Sequence, residues 1–281
     1  MPFVFRLEDY SRYREQVGGA TYIDITRRTD PARNPQAWEN LGEILTTYGA
    51  PWVVQLWTKD IQGTLRLGES ILGALREAGT TITAQVTVTG LASSVWEPLV
   101  PPDGLRYIPQ LARLIGGAEH ITWRYDPIIP PLHDPARYRA LARQAAELGI
   151  RRGVINFIAP PGRYARVDRR LGALLPAWAE GMPGYDLAWQ ESTAAELIAL
   201  ATEASISLGC CAECAILGER VPGLRRAACG DYGWFVALSG KAPLKAPFRG
   251  SRPGCGCARY FDVGSYGNWL HCHRCAYCYA G

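Results

Sequence analysis

Residues 52 to 88 decide the fold: an apolar run Trp52–Trp57 (WVVQLW), a helical pattern Leu65–Ala78 (LRLGESILGALREA) and a second run Thr81–Val88 (TITAQVTV). Both runs are short and rich in apolar or β-branched residues, which is typical of parallel strands that are buried on both faces. Between them, apolar residues recur at helical spacing. The stretch therefore predicts a β-α-β unit with a right-handed crossover.

The same alternation continues on both sides of this unit. Four more strands are predicted at Thr21–Thr26, Ile121–Tyr125, Gly153–Ile158 and Ser205–Gly209. Helices are predicted at Gln36–Tyr48 and Leu105–Ile115, after an Asp134-Pro135 N-cap, and after a Thr193-x-x-Glu196 capping box. Six β-α repeats in order predict a parallel sheet.

The length of the chain limits how much of a barrel can form. A closed eight-stranded barrel needs about 250 residues, but the alternation stops near residue 209 of 281. We therefore predict an α/β fold: a partial (β/α)6 TIM-barrel-like domain over residues 1–209, with an open doubly wound sheet as the rival. Residues 210–281 are predicted to form a Cys-rich, loop-dominated segment packed on the barrel mouth.

Composition points to a globular protein without a membrane segment. Hydrophobic residues make up 48% and charged residues 20%, and the net charge is only +4. No apolar run reaches the roughly 18 residues that a membrane span needs. The N-terminus becomes charged within a few residues and has no apolar h-region, so we expect a cytoplasmic location with reduced thiols and no membrane partner.

Cysteine is the most informative residue type. All nine cysteines lie in the last quarter of the chain: Cys210, Cys211, Cys214, Cys229, Cys255, Cys257, Cys272, Cys275 and Cys278. An odd number, crowded into one segment of an expected cytoplasmic protein, favours metal binding over a disulfide framework.

The terminal cysteines have the spacing of an iron–sulfur loop. Cys272, Cys275 and Cys278 repeat the Cys-x-x-Cys-x-x-Cys spacing of bacterial ferredoxins and can supply three ligands of one cluster. The fourth iron would then take another ligand or stay open to substrate or S-adenosylmethionine. A second set can be drawn from Cys211, Cys214, Cys229, Cys255 and Cys257. We therefore expect one or two [4Fe–4S] clusters, and the division of the ligands stays open.

Zinc is the main alternative metal. Paired Cys-x-x-Cys units also build structural zinc sites. Nine cysteines exceed what one zinc ion requires, which favours iron–sulfur. The roles of Cys210, His271 and His273 stay open, since a buried thiol or a surface histidine explains each of them equally well.

Polar residues follow most of the predicted strands. Because parallel α/β folds carry their active sites at the C-terminal ends of the strands, these residues are site candidates. The catalytic candidates are Asp30, Lys59, Arg124 and Asp126, and the substrate-binding candidates are Arg27, Arg28, Thr58, Gln85, Thr87, Tyr125 and Asn156. Their basic groups suit a carboxylate or phosphate. The alternative is that Arg124–Asp126 and Arg28–Asp30 are ion pairs that only order the rim.

Seven ordered motifs carry a family resemblance. They are Arg27-Arg28-Thr29-Asp30, Trp57-Thr58-Lys59, Trp123-Arg124-Tyr125-Asp126-Pro127, Cys211-Ala212-Glu213, Cys229-Gly230-Asp231, Cys255-Gly256-Cys257 and Cys275-Ala276-Tyr277-Cys278-Tyr279-Ala280. Together they resemble the bacterial family known as domain of unknown function 1848. That resemblance implies a TIM-barrel-like domain with a C-terminal cysteine cluster.

The terminal motif also resembles the Cys-x-x-x-Cys-x-aromatic-Cys loop of radical S-adenosylmethionine enzymes, with Tyr277 at the aromatic position. In those enzymes the loop follows the first strand, whereas here it comes last and His271 stands where the first cysteine is expected. The resemblance implies an oxidoreductase or radical S-adenosylmethionine-like reaction.

These observations predict an iron–sulfur enzyme acting on a small anionic substrate at the C-terminal mouth of the barrel, supplied by an electron donor protein. The alternative is a zinc-stabilised protein that binds a phosphate-bearing ligand. In that case the partner would be a nucleotide or RNA.

Overall fold

The computed structural model describes residues 4–211, 215–243, 255–266 and 272–279 of the chain. Its strands are β1 (Tyr22–Ile25), β2 (Val53–Thr58), β3 (Thr81–Thr87), β4 (Ile121–Ile128), β5 (Arg152–Phe157), β6 (Ser207–Cys210), β7 (Arg225–Arg226) and β8 (Phe261–Asp262). They form one sheet in the order β7-β6-β5-β4-β3-β2-β1-β8, in which every pairing is parallel.

Helices follow most of the strands. They are α1 (Leu7–Val17), α2 (Pro35–Tyr48), α3 (Ile61–Glu77), α4 (Ile108–Ile115), α5 (Pro135–Glu147), α6 (Ala165–Leu174), α7 (Pro176–Ala179), α8 (Leu187–Glu203), α9 (Ala215–Arg220) and α10 (Tyr232–Ser239). None of the helices in the described parts of the chain combines the length and apolar character that a bilayer crossing requires.

The predicted α/β, TIM-barrel-like fold is confirmed, and all six predicted strands are present. The predicted number of strands was too low, however, because residues 210–281 add β7 beside β6 and β8 beside β1. Each of these edge strands has only two residues, too few for a period-2 pattern to be visible in the sequence. In the described chain β7 and β8 do not pair with each other.

The sheet curves around a polar interior. On β1, Tyr22 donates from its hydroxyl to Asp24, and Gln55 of β2 donates to the same hydroxyl, at 2.7 and 2.8 Å. Gln85 of β3 donates to the carbonyl of Cys229, which follows β7, at 3.1 Å. A bond between the middle of the sheet and a loop at its edge requires the strands to wrap as in a barrel. The alternate side chains face outward and pack under the helices.

Two helix starts test the predicted caps. Asp134 accepts from the backbone N–H groups of Ala136 and Arg137 at the start of α5, as predicted. The predicted capping box at Thr193 is wrong, because α8 already begins at Leu187 with Asp186 as its N-cap. Thr193 is therefore a buried residue inside the helix, where the backbone N–H groups already have helical partners.

Candidate metal and substrate site

A cavity of ≈ 780 Å³ opens at the C-terminal ends of the strands. Its lining comes from the residues that follow β1, β2, β4 and β5, together with cysteines from two parts of the C-terminal segment. Residues that are far apart in the chain meet here because parallel strands place all their carboxyl ends at one edge of the sheet.

The inner cysteine group consists of Cys211, Cys229, Cys255 and Cys257, all of which line the cavity. The sulfurs of Cys211 and Cys229 lie 3.0 Å apart, and the N–H of Gly230 points at the sulfur of Cys257 at 3.4 Å. Cys211, Cys229 and Cys257 are buried, whereas Cys255 is partly exposed. The four cysteines therefore form one packed cluster in the cavity wall.

Two arginines lie close enough to the inner cysteine group to favour a thiolate at Cys229. Hydrogen bonds from Cys211 and Cys257, together with the charges of Arg124 and Arg27, hold the pKa of Cys229 well below its usual value. Arg124 donates to the Cys229 sulfur at 3.2 Å. The hydrogen bond to Cys229, with burial, raises the pKa of Cys211 and that of Cys257. Negative charge within this cluster is therefore favoured next to Arg124 and Arg27.

Arg27 lies beside the inner cysteine group, between two aromatic rings. Its guanidinium carbon is 5.0 Å from the ring centre of Trp57 and 3.8 Å from that of Tyr260. Its Nε donates to Asp24, while its Nη2 is buried and has no partner among the described residues. Arg27 is thus a fixed positive charge beneath the sulfurs rather than a side chain free to bind solvent-borne ligands.

The outer cysteine group consists of Cys272, Cys275 and Cys278, which line the same cavity. Cys275 is buried and the other two are partly exposed. Burial raises the pKa of Cys272 to about 11 and that of Cys275 to about 12. This tail is held by the N–H of Ala276, which donates to the carbonyl of Trp96 at 2.9 Å.

A buried His–Asp pair fixes the start of the tail. The Nε2 of His273 donates to Asp30 and its Nδ1 donates to the carbonyl of Leu99, both at 2.9 Å. Both partners are acceptors, so both ring nitrogens carry a proton. Burial disfavours this charge, yet the bond to Asp30 and its charge raise the pKa of His273 above its usual value. The sequence left the role of His273 open because the pair spans 243 residues.

Asp30 is surrounded by hydrogen-bond donors besides His273. It also accepts from the hydroxyl of Thr58 and from the N–H groups of Ala32 and Lys59. Burial would raise the pKa of Asp30, but His273 holds it below the usual value. In this structure Asp30 anchors the tail to the end of β1, and its catalytic role stays a prediction.

Lys59 is paired as well. Its ammonium group donates to Glu97 at 2.8 Å and to the hydroxyl of Tyr277 at 2.9 Å. Burial alone would lower the pKa of Lys59, but Glu97 and Cys275 raise it above its usual value. The sequence analysis missed Glu97, which lies in the irregular loop between β3 and α4 where no pattern marks it.

The two predicted rim ion pairs have different outcomes. Arg124 donates to Asp126, and both residues line the cavity. Asp30, by contrast, is bonded to His273, while Arg28 lies over the ring of Tyr266 at 5.4 Å. Of the two predicted ion pairs, Arg124–Asp126 is therefore present, whereas Arg28 and Asp30 are not paired with each other among the described residues.

The other predicted substrate residues divide into two sets. Thr58, Thr87 and Asn156 line the cavity together with Arg27 and Arg28. Gln85 lies below it in the barrel interior, and Tyr125 packs outside against Tyr138, with ring centres 5.0 Å apart. Since successive residues of a strand face opposite sides, inward Arg124 and Asp126 force Tyr125 outward, which corrects its predicted role.

Metal ligation is supported by the donor type rather than by a finished coordination geometry. Seven described cysteines carry free thiols, and all seven line the cavity. Within the described residues, no three His, Cys, Asp or Glu side chains are arranged closely enough to hold one ion as they stand. Thiolates suit iron–sulfur clusters and zinc, so the donor set fits either. Cys214 and His271 lie outside the described residues, and Cys210 is disulfide-bonded.

Solved structures offer only distant likenesses. The carboxyl transferase domain of Rhizobium etli pyruvate carboxylase with pyruvate and biocytin is 14% identical, with a TM-score of 0.37, over 88% of this chain and 39% of that one. A D-hydantoinase is 13% identical (TM-score 0.32; 70% of this chain, 42% of that one). Dipeptide epimerase from Methylococcus capsulatus complexed with Mg ion is 14% identical (TM-score 0.31; 87% and 64%). The chain thus spans from 39% to 64% of the length of these proteins.

No curated protein matches the chain. The family described as "Domain of unknown function (DUF1848)" matches residues 25–280, which include both cysteine groups and every strand end that lines the cavity. The match covers far more than half of the 281 residues. The chain therefore belongs to the DUF1848 family.

Proposed function

We propose that this protein is an iron–sulfur enzyme that acts on a small anionic substrate at the mouth of its barrel. One observation carries the proposal: the two cysteine groups, with seven free thiols, line a single cavity at the strand ends. A structural metal site is closed by its own ligands, whereas these sulfurs face a space that can also hold a substrate.

In this proposal each cysteine group holds one cluster. The inner cysteine group supplies four thiolates, and the outer cysteine group supplies three, which leaves one position for substrate or S-adenosylmethionine. A bound cluster would supply electron transfer or a Lewis-acidic iron. Arg124 and Arg27 stabilise negative charge on the inner sulfurs, and such charge and hydrogen bonds to sulfur set the reduction potential. An electron donor protein completes the redox version of the reaction.

Asp126 remains the acid/base candidate among the predicted catalytic residues. It lines the cavity and accepts from only one described side chain, that of Arg124. Lys59 and Arg124 each form a salt bridge with a carboxylate. Their role in this proposal is to hold a fixed positive charge at the cavity wall.

One observation favours the second candidate, zinc, at the inner cysteine group. Tetrahedral zinc with Zn–S bonds of about 2.3 Å places its sulfurs about 3.8 Å apart. The sulfurs of Cys211 and Cys229 lie 3.0 Å apart, a separation nearer to that of a single ion than to the wide spacing around a cubane. A zinc-stabilised protein would use the cavity to bind a phosphate-bearing ligand such as a nucleotide or RNA.

Metal analysis separates the two candidates. Anaerobically purified protein should be brown and contain iron and sulfide in equal amounts. Cys229→Ser and Cys275→Ser serve as matched variants, because each removes a ligand of one group only. Each variant should lose part of the iron and the double variant nearly all of it. Colourless protein that contains zinc alone contradicts the proposal.

The S-adenosylmethionine branch needs a separate assay. Reduced protein is incubated with this cofactor, and its reductive cleavage is followed. Cleavage that is lost in Cys275→Ser but retained in Cys229→Ser would assign the open position to the outer cysteine group. Iron-loaded protein that leaves the cofactor intact limits the proposal to redox chemistry without it.

A further inference from the structure

Five Lys and Arg side chains line the cavity: Arg27, Arg28, Lys59, Arg124 and Arg166. Arg27, Lys59 and Arg124 are neutralised by salt bridges to Asp24, Glu97 and Asp126, respectively. In the described part of the chain, Arg28 and Arg166 have no carboxylate partner. Both are exposed at the mouth. They are the cations that remain available to a ligand.

These two arginines stand on opposite sides of the mouth. Arg28 follows β1, and Arg166 lies in the first turn of α6, after β5. Three strands separate β1 from β5 in the sheet order. Because the sheet wraps so that Gln85 of β3 reaches the loop after β7, strands four places apart face each other across the barrel. The two cysteine groups line the same cavity as these arginines.

The wall beside Arg166 is aromatic. Tyr164 stacks on Tyr279 with ring centres 5.6 Å apart, and both rings line the cavity. An aromatic wall contacts an apolar linker well, whereas a guanidinium binds a carboxylate or phosphate through two parallel hydrogen bonds. The volume of ≈ 780 Å³ is within the range of small-molecule pockets.

We propose that the mouth binds a small diacid, with one carboxylate or phosphate on Arg28, the other on Arg166, and the linking chain along the Tyr164–Tyr279 wall. This deepens the proposed function, on which it rests, by naming the substrate class and the two residues that select it. It also moves anion recognition away from Lys59 and Arg124, whose charges are already balanced.

Calorimetric titration tests the proposal with defined probes. Malonate, succinate, glutarate and adipate are compared with acetate, and phosphonocarboxylates of matching length distinguish phosphate-type from carboxylate ends. One chain length should bind at least about tenfold more tightly than acetate, a difference of one charge-assisted contact. Arg28→Gln and Arg166→Gln should each weaken that diacid about tenfold and leave acetate within about threefold. The matched control is Arg169→Gln, an exposed arginine of α6 that does not line the cavity, and it should bind like the unsubstituted protein.

Equal affinity for all lengths overturns the proposal, as does an Arg166→Gln variant that binds the diacid like the unsubstituted protein. Iron and sulfide are measured on the same preparations. Length-selective binding by protein that contains no iron supports the diacid site and overturns the iron–sulfur function. Iron-loaded protein without length selectivity supports the iron–sulfur function and overturns the diacid site.

Discussion

His273→Ala should loosen the C-terminal tail and destabilise the protein. The imidazolium lies between Asp30 and the carbonyl of Leu99 and is only 1% exposed. Its removal deletes two hydrogen bonds from a charged donor and leaves the Asp30 carboxylate buried without its cation. Charge-assisted hydrogen bonds contribute about 1.5–3 kcal/mol each, and breaking a buried ion pair costs about 3–5 kcal/mol. Asp30 keeps three other donors, so we expect a loss of about 3 kcal/mol.

Two measurements check this expectation. Urea unfolding gives the change in the free energy of unfolding, and alkylation of Cys275 under native conditions reports release of the tail. Arg274→Ala is the matched control, because this neighbouring residue is exposed and has no described salt bridge. It should change the free energy of unfolding by less than about 0.5 kcal/mol.

A double-mutant cycle isolates the pair. Asp30→Asn, His273→Ala and the double variant should show a coupling energy of about 2 kcal/mol. Either single substitution already breaks the interaction, so the second one has no further interaction to remove. Additive losses, or a His273→Ala variant whose stability and Cys275 labelling match those of Arg274→Ala, would refute the reasoning.

Gly68→Ala should cost about 1–3 kcal/mol in thermal or urea unfolding, because a Cβ at Gly68 would lie 2.2 Å from the ring of Trp38. Gly73→Ala on the same helix meets no atom within 4 Å and should be neutral or stabilising by up to about 1 kcal/mol, and equal effects of the two would contradict the packing argument. Burial raises the pKa of Asp262 to about 6, so the native state binds its proton more tightly than the unfolded chain and stability falls as pH rises from 4 to 6. The free energy of unfolding of Asp262→Asn, relative to that of the unsubstituted protein, should therefore rise by about 2 kcal/mol from pH 4 to pH 8. A difference that does not change with pH would exclude this. Anaerobic removal of iron by a chelator should lower the midpoint of thermal unfolding, and an unchanged midpoint would show that the metal contributes nothing to folding.

The parallel α/β core could be predicted because its signals are local. Six apolar runs at β-α spacing specify strands, and the Asp134 cap specifies a helix start whose hydrogen bonds join neighbouring residues. The misplaced start of α8 shows the limit of such signals. Thr193 satisfies a capping motif by spacing, but Asp186 already caps the helix two turns earlier.

The candidate site could be predicted only as a set of residues. Its cysteines and the polar residues at the strand ends follow from composition, spacing and the rule that places active sites at the carboxyl ends of strands. Which of them line the cavity depends on the direction of the side chain and on its depth along the strand. Tyr125 points outward, whereas Gln85 points inward but lies below the cavity. The partners of the charged residues depend on long-range contacts that leave no local trace.

The sequence by itself determined the six-stranded β-α core, the pool of thiols and the family to which the chain belongs, because each is written in short-range pattern or in ordered motifs. Only the tertiary structure decided that residues 210–281 add the edge strands β7 and β8 to the sheet and that Asp30 and Lys59 pair with His273 and Glu97. It alone left Arg28 and Arg166 without a carboxylate among the described residues. The physical reason is that a buried charge needs a partner, and the chain supplies that partner from wherever the fold brings one within hydrogen-bonding distance.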